Sequence, residues 1–242
     1  MCGAEDVKAV ILSGGFGKRL KPLTDSIPKP LLDVAGRPII EWQIEWLKSH
    51  GIKEFVICAG YLREKIVEKL GGGNRLGVKI GYAVEDEPLG TGGALKNAKH
   101  LLELEKMFIV VNGDILTNLD PIEMERHLDD AVAVIAVTRL QSPYGIVDFD
   151  NMTLKISRFD EKPKLSGYYV NAGVYLFTSE IFDYLPSVGD MEKLTFPRLA
   201  EKGLVKALPF DGAEWISIDS HKDLEEASKL VGQLRFHEAQ GV

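Results

Sequence analysis

Apolar residues recur along this chain in short blocks separated by polar, glycine-bearing loops, and their spacing predicts most of the elements. Val7 to Leu12 reads as a buried strand, and Pro38 to Ser49 as a helix whose apolar positions are only partly 3.6-periodic, ended by Gly51. A strand at Glu54 to Ala59, a helix at Leu62 to Leu70, a strand at Val78 to Val84, a helix at Thr91 to Leu102 and a strand at Met107 to Val111 follow. Strand, loop and helix thus alternate three times. That rhythm predicts a parallel sheet with helices on both faces and ligands at the carboxyl ends of its strands.

After a helix near Pro121 to Asp129 the pattern changes to strands with short connections at Val132 to Thr138, Gly145 to Phe149, Leu154 to Phe159 and Val170 to Phe177. Helices at about Ser179 to Leu185 and Glu192 to Lys202, strands at Leu204 to Pro209 and Glu214 to Ile218, and a capped helix over Ser220 to Phe236 complete the chain. The expected fold is an open, mostly parallel, Rossmann-like α/β sheet flanked by helices, with an antiparallel addition in the second half. One domain over residues 1–242 is expected, with no repeats and no C-terminal β-helix.

Composition narrows the function classes. Net charge is −7, which argues against a general nucleic-acid binder. No apolar run reaches the ~18 residues of a membrane span, and the start of the chain lacks a signal-peptide pattern. Two cysteines, Cys2 and Cys58, fit neither a disulfide framework nor zinc spacing, and the five histidines are dispersed. A reducing, cytoplasmic location is expected.

Candidate chemistry begins at the first strand's carboxyl end, where Leu12 to Leu32 reads LSGGFGKRLKPLTDSIPKPLL. Gly14, Gly15 and Gly17 allow a sharp turn and close approach to an anion, and Lys18, Arg19, Lys21 and Lys29 supply positive charge. A Walker A loop fails, because Leu12 stands at its first glycine and Arg19 follows Lys18. A dinucleotide fingerprint fails at Leu20. Asp114, behind a buried strand and Gly113, can project toward phosphates and suits magnesium, which takes one or two carboxylates plus phosphate oxygens. Glu85 in EDEPLGTGGAL can accept the adjacent N1–H and N2–H donors of guanine, whereas uracil or thymine suits an amide.

The opening stretch closely resembles the signature of the sugar-1-phosphate nucleotidylyltransferases, GGxGxRLxPLT followed by KPLL, with Lys18 where the family usually has Thr. The resemblance continues through Glu85 to Leu95, VNGD at Val111 to Asp114, YGIVDFD at Tyr144 to Asp150, EKP at Glu161 to Pro163 and NAGVYLF at Asn171 to Phe177. It implies transfer of a nucleoside monophosphate from a nucleoside triphosphate to a sugar 1-phosphate, with Mg2+ as cofactor and no nucleic-acid or membrane partner. A homo-oligomer is compatible with it.

By the same resemblance, Arg19, Lys29 and Lys162 are the catalytic cations, Lys162 holding the sugar phosphate. Leu12, Gly14, Gly15, Gly17, Lys18, Glu85, Gly90 and Thr91 are expected at the nucleotide, and Tyr144, Gly145, Glu161 and Asn171 at the sugar. A second family aspartate belongs to a WxDxGT pattern, but here the stretch is Trp215-Ile216-Ser217-Ile218-Asp219-Ser220. Strict alignment puts Ser217 at the aspartate. Residues two apart on a strand share a face, so Asp219 is expected as the second ligand beside Asp114; the alternatives are that it caps the next helix or that the second carboxylate is missing. The EPLGTGGAL and NAG patterns look most like mannose-1-phosphate guanylyltransferases and relatives acting on heptose phosphates. Uridylyl or thymidylyl transfer to glucose 1-phosphate or a related sugar, and a non-catalytic nucleotide-sugar-binding regulator, are the rival expectations.

Overall fold

A computed structural model describes residues 7–232 and 234. The apolar block behind the glycine loop forms β1 (Lys8–Ser13), followed by 3-10 turns at Lys18–Leu20, Leu23–Asp25 and Lys29–Leu31 and a small hairpin, β2 (Asp33–Val34) and β3 (Arg37–Pro38). Next come α1 (Ile39–Ser49), β4 (Glu54–Ala59), α2 (Arg63–Leu70), β5 (Lys79–Val84), α3 (Gly90–Asn97), β6 (Met107–Asn112) and β7 (Ile115–Thr117). The second half contains β8 (Ala133–Gln141), β9 (Ile146–Phe149), β10 (Ile156–Asp160), β11 (Lys164–Thr178), α4 (Met191–Leu194), α5 (Phe196–Glu201), β12 (Val205–Pro209), β13 (Trp215–Ser217) and α6 (His221–Leu230).

Seven strands make one sheet in the order β12-β8-β11-β6-β1-β4-β5. β1 lies parallel between β4 and β6, and β5 extends the parallel half, while β11 runs antiparallel to both β6 and β8. The parallel sheet with an antiparallel addition is therefore as the hydrophobic rhythm implied. Alternate residues of β1 face opposite ways: Ala9 and Ile11 pack with Ile40 and Ile44 of α1, whereas Val10 packs with Leu95 of α3 and Leu199 of α5.

A third apolar cluster lies off the sheet and joins distant parts of the sequence. Leu20 and Leu32 of the basic loop, Ile218 after β13, and Ala227 and Val231 at the last helix are buried together. This cluster joins the loop after β1 to the last helix.

Several elements differ from their expected form. The helix expected over Glu192 to Lys202 is broken into α4 and α5, because Pro197 in the first turn of α5 has no N–H to continue the ladder. Pro121–His127 and Ser179–Asp183 are 3-10 helices rather than α-helices. The expected strand at Val170 to Phe177 is the inner half of the 15-residue β11, whose outer half carries no apolar alternation and is largely exposed. β13 pairs not with the main sheet but with β7, a strand that the apolar pattern did not predict. The last helix ends at Leu230, and Gln233, Arg235 and Phe236, expected within it, lie outside the described residues.

Candidate active site

The carboxyl ends of β1 and β6 meet at a tight backbone contact. Gly113 donates to Leu12 O at 3.0 Å, and a Cβ at position 113 would lie 2.4 Å from that same carbonyl, so only glycine fits. Gln43, 1% exposed on α1, donates through Nε2 to Asn112 O and Ile115 O, both at 2.8 Å. Two bonds from one amide thus bracket the Gly113–Asp114 corner. Ile218 N adds a bond to Asp114 O at 2.9 Å.

Held by this corner, the Asp114 carboxylate meets Lys29. The Lys29 ammonium lies 2.7 Å from Asp114 Oδ2 and 3.0 Å from Asp219 Oδ1, and Arg19 Nη2 reaches the same Asp219 oxygen at 2.7 Å. Ser217 donates its hydroxyl to Asp219 Oδ2 at 3.3 Å. Ser220, not Asp219, caps α6: its side chain accepts from Asp223 N, while Asp223 accepts from the backbone N–H groups of Asp219 and Ser220. The Asp219 carboxylate is thereby left for the cations. Burial pushes it upward, but the Lys29 bond and the charges of Lys29 and Arg19 outweigh this and hold it below the usual carboxylate range.

These groups line a cavity of about 240 Å³ that also takes in Leu12, Gly15, Gly17 and Lys18. A second cavity of about 320 Å³ shares Leu12, Gly15, Gly113 and Asp114 with it and extends over Gly14, Glu85, Gly90 and Thr91. Glu85 is 6% exposed; Oε2 accepts from Leu89 N at 3.1 Å, and Oε1 is buried with no partner. A Cβ on Gly14 would sit 2.5 Å from that oxygen. Desolvation raises the Glu85 carboxyl above its ordinary value, only partly opposed by the Leu89 bond.

Gly90 lines this cavity but also has a packing duty. At φ 73°, a Cβ there would come within 2.7 Å of the Gly189 backbone, and Thr91 is bonded to Glu192 through its hydroxyl at 2.5 Å. A third and larger space, about 770 Å³, opens beside Arg19, Asp114 and Asp219 toward Asn171, Arg139 and Lys164.

Other expected sugar-side residues stand on neighbouring loops rather than on these walls. Tyr144 is 76% exposed, and Gly145 is close to Glu161, whose Oε2 would lie 3.0 Å from a Cβ at 145. Lys162 Nζ is 3.8 Å from Glu161, and the Lys162 carbonyl accepts from Gln141 Nε2, a residue of the third cavity's wall. Sequence reasoning missed Gln43, Asn112, Lys164, Asp190 and Glu192. Asn112 was legible in principle as the polar residue ending an apolar strand; Gln43, a polar residue within a predicted helix, carries no signal of its own.

The family profile described as nucleotidyl transferase matches residues 8–233. The chain belongs to that nucleotidyl transferase family. Among relatives, it is 36% identical over 225 residues to a mannose-1-phosphate guanyltransferase of Yarrowia lipolytica and 39% identical over 226 residues to mannose-1-phosphate guanylyltransferase 1 of Arabidopsis thaliana. Each alignment takes in 90% of this chain and 62% of the relative, so the chain spans under two thirds of their length. Among solved structures, HddC from Yersinia pseudotuberculosis superposes with a TM-score of 0.75 at 30% identity, covering 93% of this chain and 99% of that one. The same protein complexed with GMP-PN gives 0.74 at 29% identity over the same shares. In this member of the family the glycine loop, Lys29 and Asp114 line one cavity at the carboxyl ends of the parallel strands, the end at which open α/β sheets bind ligands. No helix among the described residues is long and apolar enough to cross a membrane.

Proposed function

We propose that the protein transfers the guanylyl group of GTP to mannose 1-phosphate, giving GDP-mannose and pyrophosphate. The observation that carries this is the Lys29 ammonium held between Asp114 and Asp219, in a cavity whose glycine loop and Asp114 also line the cavity of the buried Glu85 carboxylate, which is suited to guanine. A phosphate oxygen of the sugar 1-phosphate attacks the α-phosphorus as the bond to the β-phosphate oxygen breaks, so no proton and no covalent enzyme intermediate are required. The protein's work is positioning and charge neutralisation.

In this reading Gly14, Gly15, Gly17 and Lys18 cradle the triphosphate, Arg19 and Lys29 neutralise it, and Leu12, Gly90 and Thr91 shape the nucleoside space. Glu85 Oε1, buried and unpartnered, gains a donor when guanine turns its N1–H and N2–H edge to the carboxylate. Curated relatives named for guanylyl transfer and a fold neighbour solved with GMP-PN support the same base.

The residues present fit a magnesium ion. Asp114 and Asp219 converge on the Lys29 ammonium, which places two carboxylates within reach of an ion that takes one or two carboxylates and fills its remaining positions with waters and phosphate oxygens. Asp114 and Asp219 would hold it, and when bound it supplies neutralisation of the phosphate oxygens. For the sugar phosphate, Lys162 turns its ammonium from Glu161 into the large cavity, while Tyr144, Gly145, Glu161 and Asn171 address the hydroxyls.

The test is pyrophosphate release with Mg2+ over a grid of GTP, UTP, CTP, ATP and dTTP against mannose, glucose and heptose 1-phosphates. GTP with mannose 1-phosphate is expected to turn over fastest. Faster turnover with UTP or dTTP would overturn the base assignment, and none with any pair would overturn the activity.

A further inference from the structure

Both ends of the Asn171 amide are committed within the protein. Oδ1 accepts from Gly173 N at 2.8 Å, and Nδ2 donates to Tyr175 Oη at 2.8 Å. Tyr175 is fully buried on β11, its ring stacked 5.5 Å from that of Phe177. Its phenol oxygen is a junction: Asn112 Nδ2 approaches it at 3.4 Å, and Glu192 Oε1 of α4 lies 3.3 Å away. The other Glu192 oxygen accepts from Thr91 Oγ1, which in turn accepts from Met191 N at 3.0 Å. A chain of bonds therefore runs from Asn171, on the wall of the large cavity, to Thr91, on the wall of the nucleotide cavity.

The direction of the protons along this chain is set at Glu192. A carboxylate only accepts, and a phenol has one proton to give. The Tyr175 proton therefore goes to Glu192, and the phenol oxygen is left to accept from Asn171. With its nitrogen pinned to the phenol and its oxygen to Gly173, the Asn171 amide cannot flip, and one N–H stays free for a ligand oxygen. The alternative, a core tyrosine that merely satisfies its hydroxyl, needs only one of these partners.

We infer that Glu192, acting through Tyr175, is a positioning residue that fixes Asn171 as a hydrogen-bond donor to a sugar oxygen, and so sets the affinity for the sugar 1-phosphate. The inference rests on the reading that the large cavity receives the sugar. Glu192→Gln reverses the order of donors: its new amide N–H points at the phenol oxygen, the Tyr175 proton turns toward Asn171, and the Asn171 nitrogen loses its acceptor.

Steady-state kinetics of Tyr175→Phe and Glu192→Gln with GTP and mannose 1-phosphate, paired with calorimetric titration of mannose 1-phosphate, test it. Tyr175→Phe should raise KM and Kd for the sugar phosphate about tenfold, as expected when a buried hydrogen-bond partner is lost, with KM for GTP changed less than about twofold because the Thr91–Glu192 bond stays. Glu192→Gln should show the same sugar effect. The penalty should disappear for whichever deoxy-mannose 1-phosphate lacks the oxygen Asn171 meets. Unchanged sugar affinity in both variants would overturn the inference, as would a penalty that follows the ribose hydroxyls of deoxy-GTP analogues, or parallel losses in both KM values and kcat with a lowered melting temperature. If the wild type binds sugar phosphate without turnover, the catalytic proposal fails while the titrations still decide this one; a wild type that binds no sugar phosphate overturns both.

Discussion

Lys29 carries one positive charge between two carboxylates that were far apart in the sequence, and this fixes what its loss would do. In Lys29→Met, Asp114 and Asp219 face each other without the ammonium. The kcat/KM of nucleotidyl transfer is expected to fall by about 100-fold or more, the scale for removing a charge that stabilises a phosphoryl transition state. The Asp219 carboxyl, held low chiefly by Lys29 against the upward push of burial, should return toward its ordinary value. Its depressed value stabilises the wild type above the unfolded-state pKa of 3.8, and that stability is lost as pH falls through the lower folded value. Urea midpoints of wild type and Lys29→Met should therefore differ at neutral pH and converge in acid. Glu85 has the opposite sign. Its carboxyl is raised by burial from 4.5, so the unfolded chain releases its proton first and stability falls as pH rises from 4.5 through the folded value. Glu85→Gln should abolish that decline, leaving the apoprotein more stable at pH 7 than wild type while lowering kcat/KM for GTP by about tenfold or more, the cost of losing a charged acceptor. Unfolding curves at pH 4 to 7 and kinetics with GTP measure the two effects separately.

At the scale of elements, the corner from β6 to β7 positions the site, and it is bound from three sides: by β1 through Leu12 O, by α1 through Gln43 and by Ile218 after β13. Gln43→Leu leaves two backbone carbonyls in the interior without their donor. A loss of about 1–3 kcal/mol per carbonyl is expected, read as a lower urea midpoint at an unchanged slope. Because the same bonds fix Asp114, the variant should also need more Mg2+ for half-maximal rate. This corner shows where sequence reading stops. The parallel strands were legible because each is a short apolar block between glycine loops, and β1, β4, β5 and β6 stand within a residue or so of their expected bounds. Gln43 was not, since a polar residue between Trp42 and Ile44 reads as a helix face until its buried partners are known. The outer half of β11 was missed for a related reason: its partners are the outer residues of β8, Thr138, Arg139 and Gln141, and its own side chains are largely exposed, so no hydrophobic period marks it. The break at Pro197 was also missed, since one helix was expected over Glu192 to Lys202, although the proline itself carries the signal.

Over the whole molecule, the site depends on an apolar cluster that contains none of its charged groups. Arg19 precedes Leu20, and Asp219 follows Ile218; Leu20 and Ile218 are 1% and 0% exposed in one cluster with Ala227 and Val231. Burial of those two side chains, each contributing about 1.5–3 kcal/mol, is what brings a guanidinium and a carboxylate 200 positions apart to 2.7 Å. The exposed ion pair adds little by itself, because Arg19 is 74% exposed and screened by water. Asp219 was nameable from the sequence as one of two candidates, but its delivery to Lys29 was not, because no local pattern says which core an isoleucine just after a three-residue strand will join. Ile218→Ala tests this division between packing and charge. It should cost about 2–5 kcal/mol of stability through the cavity it leaves, and it should lower kcat although no polar group has been touched. Asp219→Asn should do the reverse, with a large loss of kcat and a smaller loss of stability. If saturating GTP and Mg2+ draw Asp219 back into place, they should restore part of the Ile218→Ala melting temperature and raise it further than they raise that of Asp219→Asn. At a ligand concentration of 100 times Kd the stabilisation available is about 2.7 kcal/mol, within reach of thermal melts with and without nucleotide. Equal ligand-induced shifts in the two variants would show that the cluster supports the fold without serving the site.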